Sequence, residues 1–279
     1  MGLRGDRILT MPIDQAIRDG RYERSSSRLS VCRVDCCTFL VELDGALIVF
    51  DPWLHDPARY APLWWSRHGE PLIIDALPIP DLLLISQDAP DHCDPRAIDA
   101  LPRHVPVGAP ATVSKRLARS GFDTASLSPG DVRSVGPCAV TVLRGSHPGV
   151  LRQNGYLVER NGVAVLFLAD TAATPELTEA LKSLRRPPDL LMISSTGFAL
   201  RFYGQIVMGP EEAAVMVAQV GARDVVPMRT LMHEVTGGPI GRLIVKAFIP
   251  PDEAFRRFED ALRERTDGVR VHRLERGER

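Results

Sequence analysis

Short apolar runs that stop abruptly in polar turns are the feature that most narrows what this chain can fold into. Leu82-Leu83-Leu84-Ile85 gives way to Ser86-Gln87-Asp88, Val163–Leu168 to Ala169-Asp170-Thr171, and Asp189–Ile193 to Ser194-Ser195-Thr196. Runs of this length suit strands buried on both faces better than helices. Helix-like stretches lie between them, at Arg96–Leu101, Ala111–Ser120, Pro175–Leu184, Pro210–Val220 and Asp252–Arg265. Pro210–Val220 carries Glu211 and Glu212 in its first turn, where the helix dipole favours negative charge. Asp44-Gly45 separates Thr38–Leu43 from Ala46–Phe50, and Asn161-Gly162 separates Gly155–Glu159 from Val163–Leu168, so both pairs read as tight hairpins. Ser30–Val34, Val105–Gly108, Ala139–Leu143 and Asp224–Val226 complete the predicted strands. Strands that end in polar turns and then enter helices predict an α/β fold with two central sheets flanked by helices. In such layouts ligands sit at the strand ends, here the turns after Ile85, Leu143, Leu168, Ile193 and Val226.

Composition removes several function classes. The 279 residues hold 34 Lys and Arg against 35 Asp and Glu, a formal net charge of −1. No global field attracts nucleic acid or anionic lipid, and no basic stripe with interleaved aromatics is present. No segment approaches the ~20 apolar residues that span a bilayer, and residues 1–20 carry charges without an apolar signal core, so the expected location is cytoplasmic. Lysine occurs only at Lys115, Lys182 and Lys246, a bias that goes with a GC-rich bacterial genome. The five cysteines, Cys32, Cys36, Cys37, Cys93 and Cys138, are odd in number and fit reduced, partly buried thiols rather than a disulfide framework. Residues 1–28 read as an arginine-rich arm with a short helix around Pro12–Arg18, and residues 29–279 as one domain. Residues 53–80 hold Trp53, Trp64, Trp65 and five prolines with no lasting period, the pattern of a long loop over a site or a plain surface lid.

Motifs then follow one another in a telling order. Cys37–Gly45 with Phe50-Asp51-Pro52-Trp53, then Asp81–Asp94, Gly145-Ser146-His147, Leu166–Thr171, Met208–Ala213 and Gly221–Arg229 resemble, in sequence order, the lactonase-like branch of the metallo-β-lactamase superfamily. The resemblance implies an αββα four-layer sandwich, with two mixed sheets between helices. It also implies metal-dependent hydrolysis of a small molecule. In that family a first metal takes three imidazoles, at positions that here are Gln87, Ala89 and His147. The second takes an aspartate and two histidines, here Asp91, His92 and Arg229, and the bridging aspartate stands as Asp170.

The departures shape the functional expectation. Asp91, His92 and Asp170 remain as a metal trio, and one imidazole with two carboxylates suits zinc, iron or manganese. A guanidinium cannot ligate a metal, so Arg229 pairs with Asp91 or Asp170, points away, or binds a carboxylate or phosphate of the substrate. Asp91, His147 and Arg229 are the candidate catalytic residues, with His147 placing the substrate. Plainer roles stand beside these: a cap or surface pair for Asp91 and His92, a turn histidine for His147, and a cap before Pro175 for Asp170. His233 could replace the missing ligand were its segment helical, but Thr236–Pro239 reads as loop. His55, His68, His104 and His272 have no motif frame and read as surface residues. Cys93, beside His92, is a weak candidate nucleophile. Cys36 and Cys37 either line the site or fill core.

Three readings follow. The first is a hydrolase of an ester, lactone or phosphoester with at most one divalent metal. The second is a metal-free repurposed enzyme, for example in secondary metabolism, organised by Arg229 and the acidic residues. The third is a non-catalytic scaffold or partner protein, with the arm and Trp64-Trp65 at an interface. Small-molecule substrates are expected, nucleic-acid and membrane partners are not, and a homo-oligomer stays open. Residues 53–80 and 197–209 read as the loops that set specificity, with Arg201, Phe202 and Tyr203 as candidate pocket liners.

Overall fold

Alternation along the first strands decides the layering. β1 (Leu29–Arg33), β2 (Phe39–Leu43) and β3 (Ala46–Phe50) pair antiparallel as a meander. Phe39, Val41, Leu43, Ile48 and Phe50 join one buried cluster, whereas Leu40, Leu47 and Val49 join another. Successive side chains of a strand point to opposite faces, so a run apolar at every position buries both sides of its sheet. The computed structural model describes residues 17, 22–68, 76–145, 153–228, 236–247 and 249–279.

A small hairpin, β4 (Ala58–Ala61) and β5 (Trp64–Ser66), follows the meander. The chain then returns through β6 (Leu82–Leu84), helix α1 (Pro95–Asp99), β7 (Val107–Ala109), α2 (Ala111–Arg119) and β8 (Thr124–Ser126). β6, β7 and β8 run parallel from β3, giving a six-stranded mixed sheet in the order β1-β2-β3-β6-β7-β8. The second sheet repeats the plan. β9 (Val132–Val135), β10 (Cys138–Gly145), β11 (Gln153–Arg160) and β12 (Val163–Phe167) are antiparallel neighbours. Helix α3 (Pro175–Lys182) crosses to β13 (Leu190–Ser194), which lies parallel to β12. After the short pair β14 (Ala199–Leu200) and β15 (Gly204–Gln205), helix α4 (Pro210–Val220) leads to β16 (Asp224–Met228). β17 (Thr236–Gly237), α5 (Pro239–Ile244), β18 (Val245–Ala247), α6 (Pro251–Arg263) and β19 (Arg270–Val271) close the described fold. β19 finishes a seven-stranded sheet ordered β19-β16-β13-β12-β11-β10-β9.

Three apolar clusters fill the spaces between the layers. Phe39, Phe50, Leu82 and Leu84 of the first sheet meet Val140, Tyr156, Val165, Phe167 and Met192 of the second. Ile98, Val113 and Leu117 cover the outer face of the first sheet. Leu177, Leu181, Val217 and Phe258 cover that of the second. The result is the expected αββα sandwich, α1 and α2 on one outer face and α3, α4 and α6 on the other. Among the described residues, no helix is long and apolar enough to cross a membrane.

Local chemistry accounts for the elements. Asp44 and Asn161 take φ of 46° and 45°, each followed by a glycine at positive φ, as two-residue hairpin turns demand. α3 starts with Pro175 after Thr174, whose hydroxyl accepts from the Leu177 amide. Asp170 therefore does not cap this helix. α4 ends at Gly221 with φ 70°, a left-handed cap. Residues 53–68 hold more order than their sequence predicts, because β5 pairs with both β4 and β17. Thr236-Gly237 is likewise a strand rather than a loop, and Pro239 opens α5. Of the proposed arm, residues 22–28 lie against β2, with Tyr22 Oη donating to Glu42 at 2.6 Å. The rest of that arm, apart from Ile17, lies outside the described residues.

Phe50 and Phe167, one from each sheet, stack at 4.5 Å between ring centroids and are both fully buried. Phe167→Ala is expected to cost about 3–5 kcal/mol in urea unfolding, whereas Val132→Ala, 73% exposed, stays within about 0.5 kcal/mol of the parent.

Candidate functional site

The C-terminal ends of β3, β6, β12 and β13 converge, two from each sheet. β3 runs into Asp51, whose backbone turns left-handed at φ 44°. Its amide donates to the Leu84 carbonyl at 3.0 Å, and its carbonyl accepts from Thr38 Oγ1 at 2.9 Å. Its carboxylate, fully buried, accepts from the Ser86 amide and hydroxyl, each at 2.6 Å, and contacts His92 Nδ1 at 2.7 Å. Ala169, just before Asp170, is also left-handed at φ 50°. Non-glycine residues in this region are uncommon, and an alanine there is strained. The other two non-glycine positive-φ positions among the described residues are the hairpin turns, so the remaining pair marks this site.

The turn after β6 is tied down from several sides. The His92 amide donates to Ala89 O at 2.9 Å, and the Asp94 amide to Pro52 O at 2.9 Å. Asp94 caps α1 through the Arg96 amide at 3.0 Å, and its second oxygen accepts from the Leu54 and His55 amides. Cys37 Sγ donates to the Asp91 carbonyl at 2.6 Å. From the second sheet, the Asn154 amide donates to Ser86 O at 2.9 Å and Tyr156 Oη to Ile85 O at 2.7 Å. Ser194 Oγ lies 3.1 Å from Asp170 Oδ1.

These supports bring Asp91, His92 and Asp170 together, all buried, with one ligand atom from each within 4.8 Å of the others. With Nδ1 held by Asp51, His92 turns Nε2 toward Asp91 Oδ2 at 3.7 Å and Asp170 Oδ2 at 3.4 Å. Ligand atoms around a zinc-sized ion, each about 2.0–2.2 Å from it, stand roughly 3–4 Å apart, and both His92 spacings fall in that range. Asp91 Oδ1 is buried without a hydrogen-bond partner, a further sign of a group that belongs beside it. Burial raises the Asp91 pKa above the usual carboxylate value, although His92 pulls it down. Burial alone would favour a neutral His92, but the Asp91 and Asp51 charges and hydrogen bonds to Asp170 and Asp51 hold its pKa well above the ordinary value.

The remaining candidates separate cleanly. Gln87 and Ala89 are buried in the same turn, and Gln87 Oε1 has no partner. His147, Arg229 and His233 lie outside the described residues. His68 is not a surface residue. It stacks on Trp53 at 4.0 Å and reaches Asp56 at 2.9 Å and Asp35 at 3.2 Å. His55 and His272 are half-buried against Asp94 and Asp224, while His104 is exposed. Arg201, Phe202 and Tyr203 are exposed at the β14–β15 turn. The sequence reading gave no role to Asp51, Ser194 or Tyr60. Tyr60, on β4, has a buried hydroxyl that faces Asp91 without a well-aligned hydrogen bond. Burial and the Asp91 charge push its pKa far up, so it stays protonated.

Burial works against nucleophilic thiolates at Cys37, Cys93 and Cys138. Cys93 is pushed up to about 12 by burial, against the pull of Arg116, and burial lifts Cys37 well above the usual range and Cys138 to about 11. All five cysteines are free and buried. Titration with an aromatic disulfide reagent at pH 8 is expected to find none of the five reactive in the native protein and all five after denaturation.

Residues 30–229 match the profile of the β-lactamase superfamily domain. No curated protein matches the chain. Among solved structures, a metallo hydrolase from the archaeon Ignicoccus hospitalis shares 19% identity over 90% of this chain and 96% of its own, with a TM-score of 0.60. The isothiocyanate hydrolase from Delia radicum gut bacteria shares 16% over 89% of this chain and 97% of its own, at 0.64. A diiron β-hydroxylase from Streptomyces venezuelae shares 18% over 96% of this chain but 59% of its own, also at 0.64. At these identities the likeness is one of fold.

Proposed function

This chain belongs to the metallo-β-lactamase superfamily, and we propose that it is a hydrolase of a small-molecule ester, lactone or phosphoester that works with one divalent metal. The observation that carries this reading is the convergence of Asp91, His92 and Asp170 from both sheets, with Asp51 behind His92. Asp91 and Asp170 would hold the ion through carboxylate oxygens and His92 through Nε2. A metal bound there supplies a Lewis acid that activates water at neutral pH.

The chain's own residues prepare that site. Asp51 fixes the His92 tautomer with the proton on Nδ1 and aims the ring. Ser194 steadies Asp170. Gln87 and Ala89, where relatives carry imidazoles, leave the first metal position without two of its ligands, so a single ion is the expected load. An oxygen-rich donor set accommodates iron or manganese as readily as zinc. His147 would place the substrate and Arg229 would anchor a carboxylate or phosphate on it.

Elemental mass spectrometry on protein purified without chelator or polyhistidine tag tests this directly. About one equivalent of zinc, iron or manganese is expected, and its loss in His92→Ala. No metal in either protein, even after soaking with each ion, would sink the mechanism. Asp51→Asn should keep the fold and bind the same ion about 10–100-fold more weakly by calorimetry, because the orienting carboxylate is gone.

A further inference from the structure

A donor and an acceptor lie within reach of each other beside the trio without forming a well-aligned hydrogen bond. Tyr60 sits on the β4–β5 hairpin, its ring 4.7 Å from that of Trp64. The hairpin is held on its far side by β17. The Tyr60 hydroxyl is buried beside the Ser66 hydroxyl, and neither makes a well-aligned hydrogen bond. Across from them, Asp91 Oδ1 is buried and equally without one. Buried polar atoms are nearly always paired, so a donor and an acceptor this loosely matched each stay open to a better partner. A protonated phenol has one hydrogen to give. An oxygen seated between Tyr60 and the trio would take it, while Asp91 turns its own oxygens to the metal.

We propose that Tyr60 is a substrate-binding residue, donating a hydrogen bond to the carbonyl or phosphoryl oxygen that a substrate presents at the Asp91–His92–Asp170 site. This rests on the metal-site reading above. It restricts the substrate to groups with a bare acceptor oxygen at the scissile bond, as esters, lactones and phosphoesters have. It also gives the β4–β5 hairpin a function: its strand pairing fixes the phenol over the site instead of leaving it on a loop.

Cobalt-loaded full-length protein tests it, with inorganic phosphate as the probe and the visible spectrum reporting both metal uptake and phosphate binding. Tyr60→Phe keeps the ring and loses only the hydroxyl. The variant should take up Co2+ with wild-type affinity and bind phosphate about tenfold more weakly, the worth of one hydrogen bond to a charged acceptor. Weakened Co2+ binding with unchanged phosphate affinity would overturn the proposal, since Tyr60 would then only position Asp91. Unchanged affinity for both would overturn it as well. Failure of the wild-type protein to take up Co2+ would overturn the metal-site reading, and this inference with it.

Discussion

The buried carboxylate of Asp51 is the constraint on which the site depends. It is fully buried at the end of β3, in a left-handed backbone that few residues accept. Its main chain is locked by Leu84 and Thr38, and its side chain by Ser86 and His92. Burying a charge is costly unless hydrogen bonds satisfy it, and here two donors from Ser86 and one from His92 do so. Those bonds anchor Asp51 to the start of β2, to β6 and to the turn beyond, so His92 cannot rotate without losing a firmly held partner. Asp91, immediately before His92 in the chain, inherits that fixed position.

Precision at the trio is then a property of both sheets. Asp91 and His92 follow β6 of the first sheet, and Asp170 follows β12 of the second. Their relative placement is set where the sheets touch: the Phe50–Phe167 stack in the core, and the Asn154–Ser86 and Tyr156–Ile85 bonds at the rim. Close-packed aromatic contacts leave little slack between layers. A site assembled across such an interface is more rigid than one carried by a single loop.

The sequence made the layers and the trio legible, but little of what surrounds them. Runs such as Leu82–Ile85 and Val163–Leu168 carry their burial in composition, and Asp44-Gly45 and Asn161-Gly162 announce their turns. Pro210–Val220 carries both ends of its helix in sequence and matches to the residue. β4 and β5 are too short for a period, and β5 is stabilised by β17, some 170 positions later in the chain. His68 read as a surface residue because its partners, Asp35 and Asp56, are supplied by the fold. Tyr60 gave no local signal, since its meaning lies in facing Asp91. Asp51 offered a faint one: an aspartate directly after an apolar strand and before proline favours an unusual turn.

The pattern of retained and replaced candidate ligands also has a physical logic. Each described member of the retained trio has a buried brace. Asp51 holds the His92 ring, Cys37 holds the Asp91 main chain and Ser194 touches Asp170. Gln87 and Ala89 sit in the same turn, and Gln87 keeps an amide oxygen with no partner. A buried carboxylate such as Asp51 is a poor choice for stability alone, since apolar packing of similar volume is often neutral or better. Its worth lies in orienting an imidazole that points at two other carboxylates. That arrangement costs stability in a protein with nothing to bind there and repays it in one that holds a cation.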